Sequence, residues 1–212
     1  MSTTNPLPAS ELQARLKAGG LTLAFDTNAV ENHRPFLDAC DAIQRLNART
    51  EAQKIGLAVY AVAHGEKLLH LRQCHTADIL GPFDDERICA DLNDRGIEIM
   101  AFEERHARRV AVRLQDRYKT RQEWRAEKKQ RYLQALGMVA HAGLSTATGK
   151  KCSATVDWLL AAQAEIEGHI LVTDDKGPEF ACLAERVAFD TLTDALKSLS
   201  VWPPPQARPA SG

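Results

Sequence analysis

Short apolar runs recur along the chain. Each is stopped by polar residues and followed by a stretch of helical spacing. Residues 21–25 (LTLAF) end at Asp26-Thr27-Asn28. Residues 55–60 (IGLAVY) lead into a helix with Val62, Glu66, Leu69 and Gln73 at helical spacing. Residues 97–102 (IEIMAF) precede Glu103-Glu104, and residues 169–173 (HILVT) precede Asp174-Asp175. Runs of this length predict buried strands. Residues 187–189 predict a short fifth strand.

The helices between them are punctuated. Ser10 with Gln13 reads as a capping box, and that helix should stop at Gly19-Gly20. Pro35 opens a helix carrying Phe36, Leu37, Cys40, Ile43, Gln44 and Leu46. Residues 84–95 form an acidic-started helix ending at Gly96. Glu103-Glu104 starts a long helix with Ala107, Val110, Ala111, Leu114 and Tyr118 on one face. Residues 153–167 form another, with Val156, Leu159, Leu160 and Gln163 periodic, ending at Gly168; residues 191–199 form the last.

Strands alternating with helices imply a central parallel sheet covered on both faces, a three-layer α/β sandwich. No repeat or clean linker divides it. The expected organisation is an N-terminal extension and helix at 1–20, one domain at 21–201 with a basic helical insertion at about 115–151, and a Pro-rich tail at 202–212. In such sheets ligands sit beyond the carboxyl ends of the strands, which directs attention to Asp26 and to Asp174-Asp175.

Composition narrows the class. Apolar residues are 44% and charged residues 26%, which excludes a disordered or collagen-like chain. A net charge of -1 excludes a uniformly basic nucleic-acid binder. The five cysteines form no C-x-x-C pair, the start has no signal-peptide pattern, and no apolar run is long enough to span a membrane. The expectation is a cytoplasmic protein with reduced thiols.

Two more acids sit in apolar helical company. Glu66 lies in AVAHGEKLL and Asp157 in SATVDWLLAAQA. A carboxylate there is costly unless compensated. Carboxylates converging on one point repel and hold a proton or a cation. Oxygen-only ligation suits Mg²⁺ or Mn²⁺. Each acid also has a plainer reading: Asp26 and Asp174 as helix caps, Glu66 snorkelling, Asp157 as a cap partner or paired with Lys151.

The chain resembles the PIN-domain nucleases, a family that includes toxin ribonucleases of bacterial toxin–antitoxin pairs. LAFDTN at 23–28, the unit ending in Glu66, and ATVDWLLAAQAEIEGHILVTDDKGPEF at 154–180 carry the likeness. The resemblance implies catalytic, metal-holding acids at Asp26, Glu66, Asp157 and Asp175, with Asp174 as a further candidate ligand and Asn28 and Thr173 orienting them. It implies Mg²⁺- or Mn²⁺-dependent RNA cleavage leaving a 5′-phosphate and a 3′-hydroxyl. Its implied partners are an RNA substrate and an antitoxin protein, with a homodimer as a further candidate. The N-terminal helix and the insertion depart from the minimal family member.

Residues 105–131 carry eleven cations against three acids, +8, while the rest of the chain is -9. Tyr118, Trp124 and Tyr132 are interleaved. Arg121, Trp124, Arg125, Lys128, Lys129, Lys150 and Lys151 are therefore candidate nucleic-acid contacts. The plainer alternative is a solvated helix with its aromatics packed on the domain. His70-x-x-x-Cys74 has no second pair to complete a zinc site, and P-loop, dinucleotide and G-x-S-x-G motifs are absent. A non-catalytic PIN-like nucleic-acid binder is the main competing class. A haloacid-dehalogenase-like phosphatase would want an acid where Asn28 stands.

Overall fold

A computed structural model describes residues 6–31, 33–49, 53–76, 85–126, 153–181, 183 and 185–202. Five strands, β1 (Thr22–Phe25), β2 (Gly56–Tyr60), β3 (Ile97–Met100), β4 (Ile170–Val172) and β5 (Arg186–Val187), form one parallel sheet in the order β3-β2-β1-β4-β5. The helices are α1 (Ala9–Ala18), α2 (Thr27–Glu31), α3 (His33–Arg49), α4 (Ala61–Thr76), α5 (Asp85–Asn93), α6 (Glu104–Arg117), α7 (Ser153–Glu167), α8 (Pro178–Ala181) and α9 (Phe189–Ser198). Residues 121–126 are also helical.

The apolar runs become strands because both faces of the sheet are covered. Leu23, Ala24 and Phe25 of β1 and all of β4 are buried. β1 is central, and the order reverses there: β2 lies on one side and β4 on the other. Asp26 and Thr173, the residues just past β1 and β4, thus emerge side by side at the carboxyl edge. The Asp26 N–H donates to the Val172 carbonyl at 3.1 Å, which continues the ladder into the site. Gly96 (φ 66°) and Gly168 (φ 67°) take the left-handed conformation that ends a helix and starts a strand.

Several expected boundaries move. The capping box expected at Ser10 does not form: α1 begins at Ala9 with Pro8 as its cap and no side-chain cap bond. A capping box opens α6 instead, between Glu103 and His106. β5 stops at Val187 and Phe189 opens α9, because the Phe189 N–H is taken by the Asp174 carboxylate at 3.0 Å. Leu12 and Leu16 of α1 lie in the main core, and Arg15 pairs with Glu185, so the N-terminal helix belongs to the body of the domain. Among the described residues no helix is long and apolar enough to cross a membrane. Most of the basic insertion and the tail from residue 203 lie outside the described residues.

Candidate active site

Asp26 stands where a helix cap would. Its carbonyl accepts from the Val30 N–H at the start of α2. Its carboxylate does more than cap. Oδ1 accepts from the Thr27 N–H at 2.6 Å, and Oδ2 accepts from the Thr173 hydroxyl at 2.7 Å. Thr173 in turn accepts from the Asp175 N–H at 3.1 Å and from the Asn28 amide at 3.5 Å. The residues after β1 and β4 are therefore one hydrogen-bonded unit. Thr27 also donates its hydroxyl to Glu66 Oε2 at 2.6 Å, which ties α4 to it.

The acids face one another. Burial, reinforced by Asp175 and Glu66, pushes the Asp26 carboxyl up to about 7. Asp157, on the first turns of α7, is pushed up to about 9 by burial and by Glu179, Asp26, Asp175 and Glu66. Asp175 sits at the exposed rim with its carboxyl turned toward Asp26 and Asn28. It too is raised, by partial burial and by Glu179. The four acids expected from the sequence thus share one electrostatic neighbourhood.

Glu179 joins them and was not foreseen. It is 2% exposed, on the four-residue α8 that packs on α7. Its carboxylate folds back over Gly177, where a Cβ would meet Glu179 Oε1 at 2.0 Å. A larger residue at 177 would displace that carboxylate. The signal in the sequence was faint: a lone Glu beside Phe180 in a helix too short to show a period.

Asp174 parts from its neighbour. Its carboxylate is turned to the amino end of α9, where Oδ1 accepts from the Phe189 N–H, as the cap alternative describes. It caps a helix fifteen residues further on, not the turn that follows it.

The donor set is wholly oxygen. Asn28 Oδ1 is buried and has no hydrogen-bond donor. An acceptor enclosed beside acids calls for a positive charge or a donor from outside. As the side chains stand, no three His, Cys, Asp or Glu among the described residues are close enough together to hold an ion. The chemistry of the donors fits a hard divalent cation.

Neither a protein-family model nor a curated protein matches this chain.

The basic run divides. Arg109 makes two bonds of 2.5 Å to Glu165, Arg113 adds a third at 2.7 Å, and Arg105 reaches Glu167 at 2.6 Å. Arg108 pairs with Glu104 along α6. Arg105, Arg109 and Arg113 bind α6 to α7. The inward face of α6 accordingly holds His106, Val110 and Arg113, with Leu114 half-buried, while Ala107 and Ala111, expected inside, are exposed. Tyr118 is buried against Trp158 (ring centroids 6.3 Å apart) and Trp124 (5.1 Å), in a small second core with Val110 and Ala162. The packing alternative thus describes Tyr118, and Trp124 is half-buried on it. Arg121 and Arg125 are exposed; Lys128, Lys129, Lys150 and Lys151 lie outside the described residues.

Proposed function

We propose that this chain is a PIN-like, Mg²⁺- or Mn²⁺-dependent endoribonuclease. One observation carries the reading. Carboxylates just past β1, on α7 and in the loop after β4, with Glu66 of α4 beside them, gather at the carboxyl edge of a parallel sheet, where burial first and their mutual repulsion second raise Asp26, Asp157 and Asp175 together. Structural acids are normally arranged the other way, beside cations or donors. Perturbed carboxyls gathered at a strand edge are a mark of chemistry.

Asp26, Glu66, Asp157 and Asp175 would hold the ion, with Glu179 within their reach. When bound, a divalent ion would neutralise these charges and stabilise the developing charge of a phosphoryl displacement. The protein's own part is orientation. Thr173 and the Thr27 N–H fix both oxygens of Asp26. Thr27 fixes Glu66, and Asn28 faces Thr173 and Asp175. A toxin role, with an antitoxin protein blocking the site, follows from the family likeness.

The test is cleavage of single-stranded RNA with and without chelator. Activity should need Mg²⁺ or Mn²⁺, and Asp26→Asn or Asp157→Asn should lower it by about a hundredfold or more while the chain stays folded. Wild-type protein that binds RNA but never cuts it with metal present would support the non-catalytic reading instead.

A further inference from the structure

The basic run has two parts with different surroundings. From Arg105 to Arg113 the cations are engaged by Glu103, Glu104, Glu165 and Glu167. From Arg117 to Arg125 they are not. Arg117, Lys119, Arg121 and Arg125 are all exposed. Among the described residues no ion pair reaches any of them; Arg117 lies over the Tyr118 ring, 5.7 Å from its centre. Two acids share this stretch. Asp116 is exposed beside Arg117. Glu123 turns its carboxylate onto the backbone N–H groups of Lys119 (2.7 Å) and Thr120 (3.4 Å), capping the turn. It thereby holds the short helix that presents Arg121 and Arg125.

The aromatics of the same stretch point to a limited kind of recognition. A base needs a free ring face to stack on. Tyr118 is 8% exposed and lies against two tryptophans, and Trp124 is packed on it. Among the described residues the cations here are exposed and without ion pairs, while the rings are packed on one another.

We infer that residues 117–125 form a phosphate-tracking ridge that holds single-stranded RNA by its backbone, without reading bases. This goes beyond cleavage and rests on the ribonuclease reading only for the identity of the strand. Phosphate contacts of this kind release counterions, so affinity must fall with salt, by about 0.7 in log–log slope per phosphate on a single strand. The sugar and the base should matter little.

Fluorescence anisotropy on the full chain in EDTA tests it, with labelled oligo-U and oligo-dT of about 12 nucleotides at two salt concentrations. Binding in chelator does not require cutting, so failure here and failure of the nuclease reading are separable. Replacing Arg117, Lys119, Arg121 and Arg125 with Gln should weaken both probes about tenfold and flatten the salt slope. Arg108→Gln, which removes an exposed but paired cation, should change neither. Trp124→Phe, which keeps the packing, should leave affinity intact. Unchanged affinity and slope in the quadruple variant would overturn the ridge and leave this face to a protein partner. A selective loss of oligo-U binding in Trp124→Phe would overturn backbone-only recognition.

Discussion

Helix α7 carries carboxylates at both ends, and the two ends have opposite fates. Near its carboxyl end, Glu165 lies between Arg109 and Arg113, and Glu167 between Arg105 and His106. Acids in a last turn oppose the helix dipole, and here cations from α6 offset it. The two arginines draw the Glu165 carboxyl down to about 2. Near its amino end, Asp157 is raised to about 9 by burial and by the neighbouring Glu179, Asp26, Asp175 and Glu66. The same residue class on one helix is satisfied from within at one end and left wanting a positive charge at the other. Glu165 and Glu167 come with their own cations; among the described residues no ion pair reaches Asp26, Asp157 or Asp175. Exposure by itself does not separate them, because Asp157 and Glu165 are both half-buried.

Turning each acid into its amide should therefore have opposite effects. Glu165→Gln removes the carboxylate charge that Arg109 and the buried Arg113 share. It should lower stability by about 2 kcal/mol, discounted from a fully buried pair because Glu165 is partly solvated. Asp157→Asn removes a charge the fold disfavours and should raise stability by about 1 kcal/mol in metal-free buffer. Urea midpoints of the two variants check this. Destabilisation by Asp157→Asn equal to that of Glu165→Gln would erase the contrast.

The pH dependence separates the ends more gently. An acid whose carboxyl is raised on folding makes the unfolded state the weaker proton binder, so stability falls as pH rises. For Asp26 and Asp157 that fall runs from their ordinary value near 3.8 up to about 7 and about 9. Glu165 has the opposite sign. Its contribution is full above its ordinary value of 4.5 and is lost as pH drops toward about 2. In chelator the urea midpoint should be highest near about pH 4 and decline from there toward pH 9. A midpoint that climbs from pH 5 to 9 would contradict the raised acids.

Much of this was legible in the chain. Apolar runs ended by Asp26 and by Asp174-Asp175 announced strands that meet at one edge, and α7 keeps its predicted bounds of Ser153–Glu167. Asp157 stood out as a carboxylate in apolar company. The seam did not, because its partners are remote. His106 meets Glu167 across 61 positions and Arg113 meets Glu165 across 52, and no periodicity reveals that a charged residue faces inward to meet one of opposite sign. For the same reason the whole of residues 105–131 read as one basic surface, when Arg105, Arg109 and Arg113 of its first part are paired with acids of α7. Asp174 and Asp175 are neighbours of the same type. Only the position of the Phe189 N–H tells which one caps a helix and which one faces the site.

The central claim is that the strand-edge acids await a hard divalent cation from outside. Thermal unfolding of the metal-free chain, with and without saturating Mn²⁺ or Mg²⁺, measures that directly, since an ion that binds only the folded state must stabilise it. At about a hundredfold excess over its dissociation constant the ion should raise the midpoint by about 5 °C. Glu165→Gln should start lower and show the same rise, and Asp157→Asn should show almost none. No rise in the wild-type chain, or an equal rise in Asp157→Asn, would contradict the account.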